Sequence, residues 1–208
     1  MQDAMVGSWA QESHLTPESL GSLRGLNHRF LDLAGTRAAA WGASDGGGVS
    51  VGLGERVAPL SPAQRSAAAN CPYALFDLRF EDDAHWRSRL EGMDRWRIAD
   101  ESVLDDDTHR FVRLALFYAW HLASGAGLAA QLLLGMNVNT AAAFRRIDVS
   151  RLPALVVTEA VNLRARWSGC SAYWIALMSA AASADPAVLR RVQLYGLQLA
   201  AAARLSGA

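Results

Sequence analysis

The sequence predicts an all-α fold, a pseudo-duplicated helical bundle in one compact domain. Three observations lead to this prediction. Apolar residues recur at helical spacing over most of the 208 residues. Capping residues and prolines mark several helix starts. Similar residues also recur at an interval of 87 to 89 positions. We expect residues 1–15 to form a tail, 16–100 a first half, and 105–208 a second half that ends in a C-terminal helix. Each half is predicted to be a long helix followed by short helices.

The first half begins with Thr16-Pro17, an N-cap residue followed by proline at the first helical position. Leucines and Phe30 continue at helical spacing and predict a helix to about Trp41. The six glycines between Gly42 and Gly54 then predict a flexible loop. The run Asp45 to Gly48 lacks the residues that complete a phosphate-binding loop.

Further along, Ser61-Pro62 with Gln64 predicts a capping box and a short helix that reaches Asn70. Residues 73–80 are apolar with partial alternation, which predicts a short strand or an extended segment. Residues 84–97 are predicted to be helical again, with Trp86 on the apolar side.

The second half opens with Asp105 to Asp107, and acidic residues favour a helix N-terminus. One long helix is predicted from about His109 to Leu134, where Gly135 ends it. Asn139 or Thr140 is expected to cap a short helix, and Asp148 or Ser150 to cap the next. Two further helices are predicted, one over residues 173–181 and a last one that starts at Asp185-Pro186 and reaches Leu205.

The interval between similar residues indicates an internal duplication. Ser61 is matched by Ser150, Phe80 by Trp167 and Trp86 by Trp174; the other matched pairs are Arg56 with Arg145 and Gly46 with Gly135. Two copies of a unit that once formed a homodimer can pack as the dimer did. Coincidence among alanine- and arginine-rich helices is the alternative explanation.

Composition excludes some functions and leaves others open. The 20 basic residues, all arginine, balance 20 acidic residues, so no net field attracts nucleic acid or a membrane surface. The absence of lysine fits either bidentate recognition of anions by arginine or a GC-rich genome. Leu114 to Met136 is apolar but interrupted by polar residues, which predicts a buried helix rather than a membrane span. We therefore expect a cytoplasmic protein.

The sequence contains no pattern that predicts a catalytic, cofactor or metal site. Cys71 and Cys170 are isolated, and we expect reduced thiols rather than an intramolecular or intermolecular bridge. Asp105 to Asp107 with His109 is interpreted as a solvated helix cap, and metal binding is the alternative. Ser168-Gly169-Cys170 exposes a thiol without a histidine placed beside it by the sequence.

Arginines beside aromatic rings suggest a surface for partners. Such pairs suit stacking on nucleic-acid bases or hot spots in protein interfaces, where Arg and Trp are enriched. The alternative is that the arginine stems cover aromatic rings of the core. The candidate interface residues are Arg79, Phe80, Trp86, Arg164, Arg166, Trp167 and Trp174.

A family resemblance lies in residues 110–180. It rests on Leu116 to His121, Leu134 to Asn137, Ile147 to Val149 with Leu152 to Leu155, and Leu163 to Trp167. These segments resemble the FlhD type, the D subunit of the bacterial flagellar master transcriptional regulator. The resemblance implies an all-helical, dimer-forming subunit whose partner protein reads most of the DNA. Members are about half as long as this chain, which would then resemble a fused pair.

We therefore expect a non-catalytic regulatory or adaptor subunit that assembles with another protein, with itself, or with both. Transcriptional control is one expected setting, with DNA contacted indirectly through the partner and no membrane involved. The alternative hypothesis is an enzyme or ligand-binding protein with a pocket between the halves.

Overall fold

A computed structural model describes residues 16–36, 52–91, 106–125 and 127–206, with the side chains of 204–206 excepted. The chain is all-α, as predicted, with ten α-helices and one small sheet in the described residues. The first half contains α1 (Pro17–Thr36), α2 (Leu53–Val57), α3 (Pro62–Ala69), β1 (Phe76–Asp77) and α4 (Asp83–Glu91). The second contains α5 (Asp107–Gly125), α6 (Gly127–Leu134), α7 (Val138–Phe144), α8 (Leu152–Glu159), β2 (Arg164–Ala165), α9 (Ser171–Ser183) and α10 (Pro186–Ser206). Short 3₁₀ turns at Val149–Arg151 and Ala160–Asn162 flank α8.

The helix-start signals differ in how well they mark the observed caps. At α3 the predicted capping box forms, because Ser61 Oγ accepts from Gln64 N–H and the Gln64 side chain accepts from Ser61 N–H. Asn137, rather than Asn139 or Thr140, caps α7. Asp148 caps the 3₁₀ turn before α8, and Ser150 does not cap that turn, since its hydroxyl donates to Asp148 instead. Asp is as good an N-cap as Ser, so the sequence did not decide between them.

Two predicted elements also differ from the structure. The long helix predicted to Leu134 is two helices, α5 and α6, which pack against each other. Gly125 and Gly127 explain the division, since each glycine costs about 1 kcal/mol relative to alanine within a helix. The predicted glycine loop ends in α2, which includes Leu53 and Gly54. The predicted tail, most of that loop, the end of the first helix beyond Thr36 and the helix beyond Glu91 lie outside the described residues.

The two halves repeat the same elements at an interval of 88 residues. Helix α4 begins at Asp83 and α9 at Ser171. Strands β1 and β2 pair antiparallel, Phe76 with Ala165 and Asp77 with Arg164. Adding 88 to Phe76 gives Arg164, and adding 88 to Asp77 gives Ala165. A two-fold axis through the sheet therefore relates the two halves. Rotation about it places the pair of Phe76 and Ala165 on the pair of Arg164 and Asp77.

The strands cross at this two-fold axis, so the helix that follows each strand packs against the other half of the chain. Helix α4, from the first half, packs against α7 of the second half. Helix α9, from the second half, packs against α2 and α3 of the first. Helices α1 and α5 pack together between them, so both halves share one hydrophobic core.

A buried asparagine fixes the approach to β1. Asn27, on α1, is fully buried, and its Nδ2 donates to the carbonyls of Ala69 and Tyr73. Its Oδ1 accepts from Leu75 N–H at 2.8 Å. Because each polar atom of the amide has a partner, its burial is compensated. The side chain thus ties α1 to the end of α3 and to the segment that enters the sheet.

Candidate functional site

Three of the predicted interface residues lie inside the core. Phe80 and Trp86 are fully buried, and Trp174 is 3% exposed. Phe80 stacks on Trp86 with ring centroids 6.0 Å apart. A partner cannot reach these side chains in this structure, so their role here is packing within the chain. Arg79, Arg164 and Trp167 remain at or near the surface, and Arg166 is buried.

Arg79 and Trp167 occupy equivalent turns, 88 residues apart. Both have a left-handed backbone, with φ of 58° and 53°. This conformation is uncommon for residues other than glycine. In the first turn, the Arg79 carbonyl accepts from the Trp86 indole N–H at 3.1 Å. In the second, the Arg166 carbonyl accepts from the Trp174 indole N–H at 2.9 Å. The strain in both turns belongs to the repeated fold and does not mark either turn as a binding site.

Arg164 and Asp77 close one side of the sheet. Arg164 Nε and Nη2 lie 2.8 and 2.7 Å from Asp77 Oδ2. The other carboxylate oxygen, Oδ1, accepts from Phe80 N–H at 3.1 Å. Asp77 is therefore fully engaged, and the two charges offset each other.

Arg166 is a buried cation with no ion pair among the described residues. Its side chain is 5% exposed, and Nη1 donates to the Leu133 carbonyl at the end of α6. The guanidinium also stacks over the Trp167 ring, 4.7 Å from its centroid. Gly135, at φ 71°, leaves the space that the guanidinium fills, since a Cβ there would overlap Nη2. Burial lowers the pKa of Arg166, and Asp77 and Glu81 oppose that shift.

A pocket of about 200 Å³ lies beside the sheet and between the two halves. Glu81 from the first half lines it together with Arg166, Trp167 and Ser168 from the second. The Trp167 indole N–H is buried and has no hydrogen-bond acceptor. Arg164, Arg166 and Trp167 were predicted as candidates, and the structure brings them together here. Glu81 was not predicted, because its neighbours in the pocket, apart from Asp77, are more than fifty positions away in the sequence.

A second polar cluster was not predicted either. Glu159, on α8, is fully buried, and its Oε2 lies 2.9 Å from His85 Nε2 on α4. Arg89 Nε lies 3.2 Å from Oε1, and Asn162 Nδ2 donates to Oε2 at 2.8 Å. In the sequence, His85 lies close to Asp82 and Asp83, which belong to its own half. The observed contact depends on the exchange of α4 between halves, for which the sequence carries no local signal.

The last helix, α10, has one packed face and one exposed face. Gln193 Nε2 donates to the carbonyls of Ala67 and Asn70, and the Gln193 carbonyl accepts from the Tyr73 hydroxyl at 3.0 Å. Leu194, which faces away from these contacts, is 53% exposed, and Leu197, at the edge of the packed face, is 40% exposed. The sequence predicts a helix that is apolar on most of its circumference, and the chain itself covers one side of it.

Other findings concern metals, thiols and membranes. In the described residues, no three His, Cys, Asp or Glu side chains are grouped as metal ligands would be. Both cysteines are free, Cys71 buried and Cys170 partly exposed. Among the helices described, none has the length and apolar character needed to cross a membrane.

Comparison of the chain with protein families, with curated proteins and with solved structures gives no match.

Proposed function

We propose that the chain is a non-catalytic regulatory or adaptor subunit that binds another protein through the exposed face of α10. The observation that carries this proposal is the exposed pair Leu194 and Leu197. Three more residues are exposed on the same side of the helix. Ala187 and Arg190 lie seven and four residues before Leu194, and Ala201 lies four residues after Leu197. Ala187 and Ala201 are small, so a second helix can approach closely at the two ends of this face.

Most large apolar side chains elsewhere in the described residues are buried, and Leu128 and Leu132 on α6 form a second exposed pair at helical spacing. The large core residues of both halves are covered, including all the aromatic rings around the sheet except that of half-buried Trp167. Exposed leucines at helical spacing on one element are typical of a helix that docks into a groove or against another helix. Full burial of an exposed leucine contributes about 1.5–3 kcal/mol. Leu194 and Leu197 are about half exposed, so each would contribute roughly half of that.

The charge of α10 indicates what kind of partner fits. Arg190 and Arg191 are exposed, and the sequence from Pro186 to Ser206 contains no acidic residue. The whole chain is neutral, but no acidic residue within this helix offsets the local positive charge. We expect the partner to present an amphipathic helix with apolar residues in its centre and acidic residues at its margins.

The resemblance of residues 110–180 to the FlhD type is consistent with this proposal, since that family acts through a partner protein. Transcriptional control is therefore the setting we propose, with contact to DNA made by the partner. A cytoplasmic location belongs to the same proposal. Self-association through α10 is the competing form of assembly, and the experiment below distinguishes it.

The test compares substitutions on the exposed face with a matched control elsewhere. Leu194→Asp with Leu197→Asp places two negative charges on the face, and Arg190→Glu with Arg191→Glu reverses its charge. Val161, 81% exposed and distant in sequence from α10, provides the control Val161→Asp. The tagged full-length proteins are used for affinity capture from the native cell, with quantitative mass spectrometry, and for light scattering.

We expect one protein to be captured by the wild type and by Val161→Asp, and to be lost with both α10 variants. Circular dichroism should show all variants folded, because the altered side chains are exposed. Equal capture by every variant would refute the proposal. A fall from dimer to monomer in light scattering, with no captured protein lost, would replace the acidic partner with a second copy of the chain.

A further inference from the structure

We propose that the pocket between the halves binds a small zwitterion, a molecule of the amino-acid class with one carboxylate and one ammonium group. Arg166 would hold the carboxylate and Glu81 the ammonium group. This proposal concerns a small ligand and does not depend on the α10 face.

The first observation is that the fold does not require a cation at the position of Arg166. The equivalent residue of the first half, 88 positions earlier, is Leu78, which is fully buried. The same structural position is thus filled by an apolar side chain in one half and by a guanidinium in the other. Burying a charge without an ion pair is costly, so a leucine would serve the core better. The arginine is explained if an anion enters the pocket.

Hydrogen-bonding capacity is the second observation. The Leu133 carbonyl takes one of the five N–H groups of Arg166. The buried Trp167 indole N–H has no acceptor, and a buried unsatisfied donor costs about 1–3 kcal/mol. A carboxylate in the pocket would supply acceptors for the N–H groups of Arg166 that the Leu133 carbonyl does not take. The planar guanidinium suits a carboxylate because the two groups can form parallel hydrogen bonds.

The balance of charge indicates the rest of the ligand. Among the residues that line the pocket, Arg164 and Asp77 neutralise each other. Arg166 and Glu81 remain, one positive and one negative, and neither has an ion-pair partner among the described residues. Glu81 would repel a ligand with two negative charges and attract one with a positive group. A molecule with one charge of each sign satisfies both residues, and about 200 Å³ limits it to a small one.

The binding test uses the indole N–H of Trp167 as the reporter. Two-dimensional ¹H–¹⁵N spectra of the full chain are recorded while each of the twenty amino acids is added, with ionic strength held constant. Acetate and methylammonium are titrated separately as probes that carry one charge each. Trp167→Phe identifies the reporter signal by its disappearance.

We expect at least one amino acid to shift this signal with saturation, at a dissociation constant of about 1 mM or below. Acetate and methylammonium should bind at least about tenfold more weakly, since each engages one of the two charges. Arg166→Met and Glu81→Gln should each weaken binding by about tenfold or more. Arg24→Gln, an exposed arginine on α1, should leave binding unchanged.

Three results would overturn the proposal. One is the absence of a saturable shift with all twenty amino acids up to about 20 mM. Another is equal binding of acetate and the best amino acid, together with no effect of Glu81→Gln. The last is unchanged binding by Arg166→Met. If Arg166→Met does not fold, Glu81→Gln and the wild-type titrations decide. Leu194→Asp should not alter the titration, so failure of the proposed α10 interface and failure of this pocket are separate outcomes.

Discussion

Trp86 and Trp174 are each the fourth residue of a helix, and each indole N–H donates to a main-chain carbonyl in the turn before that helix. The acceptors are the carbonyls of Arg79 and Arg166. The two tryptophans are 88 residues apart, the interval that relates the strands. Each one therefore fixes its helix to the turn that follows a strand, at the point where the halves exchange helices.

Substitution of these tryptophans should destabilise the protein through the lost hydrogen bond. Trp86→Phe and Trp174→Phe each leave a carbonyl without its donor. We expect each to lower the free energy of unfolding by about 1–3 kcal/mol, in addition to the cost of the smaller side chain. Trp167→Phe makes the same chemical change at an indole with no acceptor. Urea unfolding followed by circular dichroism should rank Trp167→Phe as clearly the mildest. Equal losses at all three positions would contradict the assigned role of the hydrogen bonds.

The buried carboxylate of Glu159 should contribute strongly to the contact between α4 and α8. Glu159→Ala removes the carboxylate that His85 and Arg89 contact, and we expect a loss of about 3–5 kcal/mol in the free energy of unfolding. Arg87→Ala removes an exposed ion pair with Asp83 on the same helix, where about 0.5 kcal/mol is expected. Chemical denaturation of both variants provides the comparison. Similar losses would show that the Glu159 cluster does not hold the halves together.

Gly196 should be intolerant of any side chain, because α10 crosses Tyr73 at this point. A Cβ on Gly196 would overlap the Tyr73 hydroxyl, which is held by Tyr173 and by the Gln193 carbonyl. Gly196→Ala should therefore destabilise the protein by about 1–3 kcal/mol. Gly21→Ala, on an open face of α1, should stabilise it by up to about 1 kcal/mol. Melting temperatures that change in the same direction would argue against this packing of α10.

The two thiols should react at very different rates in the folded protein. Cys71 is fully buried, its Sγ donates to the Ala68 carbonyl, and burial raises its pKa to about 11. The thiolate that attacks a labelling reagent is therefore scarce at Cys71 below that pH. A disulfide-exchange reagent at pH 8 should modify Cys170 alone, and both thiols in urea. Rapid labelling of native Cys170→Ser would show that Cys71 is accessible.

We expect the isolated chain to bind duplex DNA weakly at about 150 mM salt. Its 20 arginines are balanced by 20 acidic residues, so the release of counterions contributes little to binding. Fluorescence anisotropy with a labelled duplex should give a dissociation constant above the micromolar range. Tighter binding would move contact with DNA from the proposed partner to this chain.

Local signals in the sequence predicted the fold better than they predicted the site. The capping box at Ser61 and the helix start at Asp185 depend on neighbouring residues, so they could be read directly from the sequence. The sequence predicted that either Asp148 or Ser150 is a cap, because both side chains can accept the capping hydrogen bond. In the structure the cap is Asp148. Single-sequence periodicity did not detect the division of α5 and α6, since the apolar pattern continues through both glycines.

The pocket and the Glu159 cluster depend on distant parts of the chain. Glu81 lies near Arg166, and His85 near Glu159, because the strands cross before α4 and α9. The 88-residue interval indicates that the halves are alike, but it does not indicate that they exchange helices. The aromatic residues Phe80, Trp86 and Trp174 were therefore interpreted as surface candidates although the exchange buries them.

The difference between Leu78 and Arg166 has a consequence for how such a chain can change over generations. In a homodimer of identical subunits, one codon sets both members of a symmetric pair, so a mutation to arginine would bury two cations at once. A continuous chain encodes the two positions separately. One position can then keep a leucine for stability while the other acquires a charge. Joining the halves in one gene thus allows a symmetric core to carry a single, one-sided pocket.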